Sequence, residues 1–226
     1  MNNTSRIAWL GILLLGASTS ASADDKQQFI FAESFNAPLD SGWTWLREEP
    51  RAWKVAEGSL QIRTLPGHVF MKHNDARNVL LRKAPKTSQP LAVEVFVESR
   101  PKTQFEEAGL LWYYDDDNYL ILAKEHVGQE VRVRMIHEQE GKPSFLFEKK
   151  YEPESVWLRL VADGGNATGY FRQTDQEEWQ KMNQTVLPGE SSGKGDAKIG
   201  LNAAGGAKDA DRWARFRAFR LLELAE

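Results

Sequence analysis

Residues 106–125, EEAGLLWYYDDDNYLILAKE, place acidic and aromatic side chains in two apolar runs around three aspartates. Such acids could hold a cation, serve a catalytic centre, or belong to a simple turn. Calcium needs about six to eight oxygen ligands in fixed geometry, whereas consecutive aspartates point in different directions. We therefore predict a plain hairpin with DDDN as its turn, because Asp and Asn bond nearby backbone groups and tolerate unusual dihedral angles.

Counting back from this turn predicts a hairpin face that could bind a ligand. The expected opposite pairs are Tyr113 with Tyr119, Gly109 with Ala123, and Glu107 with Glu125. The other face holds the expected core residues Leu110, Trp112, Leu120 and Leu122, with Lys124 at its edge. Facing carboxylates destabilise a ladder unless something offsets their repulsion. A hydroxyl-rich ligand, Arg47 or a cation could do so; alternatively, the acidic pair lies at a solvated sheet edge.

The segment WTWLREEPRAW, residues 43–53, adds a second candidate group. Indole rings stack on the C–H faces of sugars, and arginine forks onto paired oxygens. Trp43 and Trp53 are expected to close one end of the fold, whereas alternation places Trp45 and Arg47 on one strand face. We therefore predict one ligand groove on a concave sheet, with Gly109 and Ala123 as its floor. Its predicted ligand-binding residues are Trp45, Arg47, Glu107, Tyr113, Tyr119 and Glu125.

Other catalytic and metal-binding patterns are absent from the sequence. Glu94 and Glu98 imitate the paired acids of laminarinase-type jelly rolls but lack the central aspartate. The histidines have no metal-binding spacing and are expected at the surface: His68, His73, His126 and His137. There is no nucleophile elbow, no P-loop and no cysteine. We expect no catalytic residue, no metal and no cofactor.

Alternation of apolar and polar residues dominates the chain after residue 23. It is clear in LAVEVFVES, VRVRMIHE and VWLRLVAD, and Gly, Pro, Asp and Asn separate the runs. This pattern predicts an all-β sandwich of about twelve to fourteen short strands in two antiparallel sheets of six or seven. Residues 183–196 are expected to form a long loop. A single domain over residues 24–226 is the simplest interpretation.

The N-terminus is typical of a secretory signal peptide. Arg6 precedes the apolar run IAWLGILLLGA, and SASA ends at Ala23, so we expect cleavage before Asp24 and a secreted or periplasmic protein. The mature chain has no apolar run long enough to span a bilayer. The net charge of −3 and the lack of a basic stripe give no support for nucleic-acid binding.

Several segments, taken in order, resemble one known family. They are GWTWLREEPRAWKVAEGSLQIRT, FEEAGLLWYYDDDNYLILAKE, VWLRLVADGGNATGYFRQTDQEEWQKM, and KIGLNAAGG followed by WARFRAFRL. Their order resembles the concanavalin A-like domain at the C-terminus of family 43 β-xylosidases and the bacterial domain of unknown function 1349. The resemblance covers about Phe29 to Leu222 and implies a jelly-roll sandwich. The given sequence has no β-xylosidase propeller before these segments, so we expect that shaping a neighbouring active site would need a separate protein.

The sequence leaves three functions open. The first is a secreted, non-catalytic, lectin-like sandwich that binds carbohydrate or assists a carbohydrate-active partner. The second is a glycoside hydrolase or lyase that uses carboxylates such as Glu107 and Glu125 on the concave sheet. The third is a structural envelope protein without a small-molecule site.

Overall fold

The structure is a computed structural model and describes residues 27–189 and 196–225. The expected signal peptide, residues 1–23, and residues 190–195 of the expected loop lie outside the described residues. The loop was expected to begin at residue 183, which is wrong, because a strand continues to Val186. Every helix in the described part is too short or too polar to cross a membrane. The strands are β1 Gln27–Glu33, β2 Thr44–Leu46, β3 Trp53–Ala56, β4 Ser59–Arg63, β5 Val69–Phe70, β6 His73–Asn74, β7 Val79–Lys83, β8 Leu91–Glu98, β9 Glu107–Asp115, β10 Asn118–Val127, β11 Glu130–Gln139, β12 Lys142–Lys150, β13 Ser155–Asp163, β14 Asn166–Arg172, β15 Gln180–Val186, β16 Lys198–Ala204 and β17 Trp213–Leu224.

Two antiparallel sheets confirm the predicted all-β sandwich. The large sheet has the order β15-β14-β13-β8-β17-β4-β3, with β1 also paired to β17. The small sheet has the order β12-β11-β10-β9-β16-β7-β2, and β5 and β6 form a separate hairpin. The large sheet therefore has eight strands, one more than predicted, and the described residues form seventeen strands in place of the twelve to fourteen expected. A turn of 3-10 helix at Pro50–Ala52 links β2 to β3.

The hairpin of β9 and β10 has the predicted register. Tyr113 faces Tyr119, Gly109 faces Ala123, and Glu107 faces Glu125 across the ladder. Leu110, Trp112, Leu120 and Leu122 lie in the main core between the sheets, as expected. The acidic pair does not lie at a solvated edge, because β9 and β10 are central strands of the small sheet and both carboxyls are buried.

Lys124 lies at the end of the core, as predicted, and is almost fully buried. Its Nζ donates to the backbone carbonyls of Ser99 (2.6 Å) and Glu154 (2.8 Å). Burial lowers the pKa of Lys124 to about 8, because the charged form loses its hydration. Trp43 is also buried and packs edge-to-face on Phe219 at 5.0 Å.

A second apolar cluster covers the outer face of the small sheet. Its central members from the sheet are Leu111, Ile121 and Ile136, which face away from the main core because side chains alternate along a strand. The hairpin of β5 and β6, residues 69–74, lies over this cluster and contributes Val69 and Phe70. We call residues 69–74 the cover hairpin.

Candidate functional site

A pocket of about 510 Å³ lies between the cover hairpin and the outer face of the small sheet. This volume falls within the range of about 300–1,000 Å³ that is usual for small-molecule sites. The wall includes the apolar residues Val69, Phe70, Met71, Phe105, Ile121, Ile136 and Phe145. Its polar members are His68, His73, Glu107, Tyr119, Glu125 and Arg134. The pocket therefore combines an apolar wall with a few converging polar groups.

Glu107 and Glu125 bring two facing carboxyls to the pocket, and each has its own partner. Asn202 Nδ2 donates to Glu107 Oε1 at 2.7 Å, and Arg134 Nη1 donates to Glu125 Oε2 at 2.6 Å. Glu107, Glu125 and Arg134 are 8%, 4% and 6% exposed, so these contacts occur with little screening by water. Arg134 offsets the charge of Glu125, whereas Arg47, one of the alternatives left open by the sequence, does not.

Burial and the neighbouring Glu125 raise the pKa of Glu107 to about 8. Burial also raises the pKa of Glu125, whereas the adjacent Arg134 guanidinium favours its charged form. We infer a protonated Glu107 beside an ionised Glu125 at neutral pH. Such a floor offers a ligand one hydrogen-bond donor and one charged acceptor.

Tyr119 links the floor to the cover hairpin. Its hydroxyl contacts the backbone carbonyl of Val69 and Glu138 Oε2, the latter at 2.9 Å. The Glu138 carboxylate also accepts a hydrogen bond from the backbone N–H of Met71 at 3.0 Å. Because burial and the Glu138 charge raise the pKa of Tyr119, its hydroxyl stays protonated. These contacts hold the hairpin in place over the sheet.

Aromatic side chains form the rim of the pocket. Phe105 and Phe145 are 47% and 57% exposed, although both are large apolar residues. Phe70 lies 6.0 Å from Phe145 between ring centroids, and His68 lies edge-on to Phe105 at 6.4 Å. The guanidinium of Arg134 lies 4.8 Å from the Phe145 ring. Exposed rings beside a polar floor give surfaces on which a flat apolar face can stack.

Arg47 and Tyr113, two other predicted ligand residues, lie together at the tip of the hairpin. Arg47 holds Asp116 with two contacts of 2.8 and 3.0 Å, and its Nε donates to Ala76 O at 2.6 Å. The Tyr113 hydroxyl donates to the same aspartate at 2.9 Å. Asp116 of the DDDN turn therefore anchors two side chains, and Arg47 and Tyr113 line no part of the pocket.

Trp45 lies on the other side of the small sheet. It pairs with Leu80, packs against the main core, and stacks on Trp53 at 4.7 Å. The predicted common face for Trp45 and Arg47 is wrong. Strand β2 ends at Leu46, and Arg47 has a positive φ of 54°, so the alternation stops before it. The structure therefore brings together Glu107, Tyr119 and Glu125, but not the other three predicted residues.

Sequence reasoning missed the residues that come from distant strands. Arg134 of β11 and Asn202 of β16 face Ala123 and Gly109, which completes a row across the four central strands. Alternation in VRVRMIHE placed Arg134 on the face opposite the core residues of its strand, which is correct. The pattern could not reveal which acidic residue Arg134 contacts. The rim residues Phe105 and Phe145 gave no periodic signal.

Metal binding has no candidate in the part of the chain that the structure describes. Among residues 27–189 and 196–225, no group of three or more His, Asp or Glu side chains could hold a metal ion. His68 and His73 line one side of the pocket, and burial lowers the pKa of His68, which favours its neutral form. His137 is buried, contrary to the expectation that all four histidines lie at the surface.

Solved structures show the same fold. The GH43 protein BlXynB of Bacillus licheniformis matches with a TM-score of 0.75 at 20% identity over 85% of this chain. Xylan β-1,4-xylosidase of Bacillus halodurans matches with a TM-score of 0.72 at 21% identity, also over 85%. In each case the match covers 39% of the solved chain. The CBM2 module of the evolved Dit protein of Lactobacillus casei phage J-1 gives a TM-score of 0.61 at 11% identity, over 89% of this chain and 97% of that module.

A family comparison gives the assignment. A search of curated proteins found no match. The family model described as the β-xylosidase C-terminal concanavalin A-like domain matches residues 32–221, which is most of the chain. The chain belongs to the family of β-xylosidase C-terminal concanavalin A-like domains.

Proposed function

We propose that this protein is a secreted, non-catalytic, lectin-like module that binds carbohydrate in the pocket beneath the cover hairpin and assists a carbohydrate-active enzyme. The observation that carries the proposal is the combination of exposed aromatic rings with buried, hydrogen-bonding carboxyls in one pocket of about 510 Å³. The family, whose members accompany β-xylosidases, supports a carbohydrate as the ligand.

The pocket offers each kind of contact that a sugar needs. The rings of Phe105 and Phe145 can stack on the C–H face of a pyranose, which is apolar. The protonated Glu107 can donate a hydrogen bond to a sugar hydroxyl and the Glu125 carboxylate can accept one, in a region from which water is largely excluded, where such bonds are stronger. Because the pocket holds only about 510 Å³, we expect it to take a short stretch of one or two sugar units.

Phe145→Ala tests the aromatic rim. The ring is 57% exposed, so its removal should leave the fold intact. We expect the substitution to weaken oligosaccharide binding by about 1–2 kcal/mol, which is about five- to thirtyfold, as for other aromatic anchors. Isothermal titration calorimetry, with an oligosaccharide that binds in a glycan array, measures this loss.

Phe29→Ala is the matched control, because Phe29 is 62% exposed and lies in β1 on the large sheet. It should bind the sugar as well as the wild type does. Equal binding by wild type, Phe145→Ala and Phe29→Ala would place the sugar site elsewhere. A wild-type protein that binds no glycan would instead favour the structural envelope role.

Hydrolysis is the second candidate, and the raised pKa of Glu107 favours it. A protonated carboxyl with a pKa of about 8 beside an ionised one is the arrangement in which a general acid and a second carboxylate act on a glycosidic bond. However, Glu125 is already paired with Arg134 at 2.6 Å, which makes it a weaker base or nucleophile. Release of reducing sugar by wild type, lost in Glu107→Gln, would establish this function in place of the non-catalytic one.

Export is part of the proposal and has its own test. The expected signal peptide ends at Ala23, so the exported protein should begin at Asp24. Intact-mass measurement of protein recovered from the native host should give the mass of a chain that starts there. A protein that keeps Met1 would contradict cleavage.

A further inference from the structure

The outer face of the large sheet carries a cluster of arginine and aromatic side chains that plays no part in the pocket. Across four neighbouring strands, Trp157 faces Arg172 on one side and Phe96 on the other, and Phe96 faces Arg217. In the next row, Arg159 of β13 and Arg220 of β17 both face Glu94. We call the outer side of β14, β13, β8 and β17 the basic face.

Stacking orders the guanidinium groups of the basic face. The Arg172 guanidinium lies 4.2 Å from the ring of Trp179 and 5.7 Å from that of Trp157. Arg220 lies 5.1 Å from Trp157, and Arg159 lies 5.4 Å from Trp179. Side chains that are already ordered lose less conformational entropy when they bind a partner.

The basic face has more positive than negative charge. Glu94 lies 3.3 Å from Arg159 and 3.8 Å from Arg220, and Glu98 lies 3.2 Å from Arg217. Two carboxylates thus pair with three arginines, which leaves an excess of positive charge among these five side chains. Arg172 donates to the backbone carbonyl of Glu177 at 3.1 Å, and a carbonyl carries no formal charge to neutralise it. This excess stands out because the whole chain has a net charge of −3.

The basic surface continues beyond these four strands. Arg63 of β4 faces Trp213, and the Lys54 ammonium of β3 lies 5.0 Å from the Trp213 ring. Arg215 of β17 contacts the exposed Glu57 at 3.3 Å. From β14 to β3 the surface crosses six strands, or about 24 Å at the usual strand spacing. That length suits a polymer better than a small ion.

We propose that the basic face binds an acidic polysaccharide, with uronic acid carboxylates held by its arginines. Guanidinium groups pair with carboxylates through two parallel hydrogen bonds, and a uronic acid chain repeats its carboxylate along its length. The partly exposed rings of Phe96 and Trp179 add surfaces for the C–H faces of the sugars. This site lies on the opposite sheet from the pocket, and the inference does not depend on the proposed function of the pocket.

Polygalacturonate is the probe for the test, with a neutral xylan as the comparison. Wild type should bind polygalacturonate, and raising NaCl from about 50 to about 500 mM should weaken the binding severalfold, because salt screens exposed charges. The double variant Arg172→Gln/Arg217→Gln should bind at least about tenfold more weakly. Affinity electrophoresis or calorimetry measures both effects.

Two controls distinguish specific binding at the basic face from nonspecific electrostatic attraction to the protein. Lys142→Gln/Lys208→Gln removes the same charge from exposed positions outside this face and should keep wild-type affinity. Phe145→Ala, a change in the pocket, should also keep it. Thermal denaturation shows whether the double arginine variant folds. If it does not, Arg172→Gln alone should still lower the affinity. Arg172 donates its hydrogen bond to a backbone carbonyl, so its loss leaves no carboxylate without a partner.

Three results would overturn the proposal. The first is failure of the wild type to bind polygalacturonate. The second is an equal loss in the lysine control. The third is equally tight binding of double-stranded DNA or of anionic phospholipid vesicles, which would show a general cationic surface without selectivity for uronic acids.

Discussion

Glu106→Gln is expected to lower the free energy of unfolding at pH 7 by about 3–5 kcal/mol, because it breaks a buried, hydrogen-bonded ion pair. The Glu106 side chain is 1% exposed and contacts Arg212 at 2.7 to 2.9 Å. Its carboxylate also accepts a hydrogen bond from Thr64 Oγ1 at 2.6 Å and from the backbone N–H groups of Lys102 and Thr103 at 2.9 Å. This carboxylate joins the loop before β9 to the start of β17.

The same contacts make this contribution dependent on pH. They lower the pKa of Glu106 to about 2, from an ordinary value of 4.5, although burial alone would raise it. The stabilisation is therefore complete above pH 4.5 and is lost as the pH falls towards 2. Chemical denaturation across this range should show the wild type and Glu106→Gln converging in acid.

Glu154→Gln is the control for Glu106→Gln. It removes a carboxylate from an exposed pair with Arg100, and such pairs contribute only about 0–1 kcal/mol. Equal destabilisation by the two substitutions would contradict a special role for the buried carboxylate. Glu106 also lies next to Phe105, so we expect its loss to disturb the pocket rim and weaken sugar binding.

Glu107→Gln is expected to have the opposite effect and to stabilise the protein at pH 8, because burial and the neighbouring Glu125 oppose ionisation of this carboxyl in the folded state. The pKa of Glu107 is about 8 in the folded protein, against an ordinary value of 4.5 for a solvated glutamate. Between these values the unfolded chain releases the proton while the folded chain keeps it, so the stability of the wild type falls as the pH rises. Glutamine cannot ionise, so the variant does not lose stability in this pH range. Its side-chain oxygen can still accept the hydrogen bond from Asn202.

The gain should disappear below about pH 4.5, where Glu107 is protonated in both states. Glu125→Gln provides the matched comparison at the facing position. It should destabilise the protein, because it leaves the Arg134 side chain, which is 7% exposed, without its closest carboxylate. A stabilising Glu125→Gln, or a destabilising Glu107→Gln at pH 8, would contradict the assignment of charges on the pocket floor.

Local patterns in the sequence predicted the central hairpin correctly. Alternation has a period of two, and the DDDN turn fixes where counting begins, so the facing pairs followed from the sequence alone. The predicted floor residues Gly109 and Ala123 face each other as expected, but they are not among the residues that line the pocket. A Cβ at Gly109 would lie 2.0 Å from the Leu122 carbonyl oxygen and 2.7 Å from the Ala123 Cα, so the requirement for glycine comes from close backbone approach.

The remaining part of the site depends on contacts between segments far apart in the chain. Asn202 meets Glu107 across 95 residues, and no local pattern shows that β16 lies beside β9. The cover hairpin has strands of two residues, which are too short to produce a periodic signal. For Arg47, the left-handed backbone after β2 breaks the alternation on which its predicted position depended.

Chemical-shift mapping by NMR tests the central claim most directly. An oligosaccharide selected from a glycan array is titrated into the isotope-labelled protein while the backbone amides and the phenylalanine rings are observed. We expect the largest shifts at Phe105, Glu125, Phe145 and the cover hairpin, without release of reducing sugar. Saturable shifts confined to other surfaces, with this pocket unchanged, would contradict the claim that the pocket is the carbohydrate site.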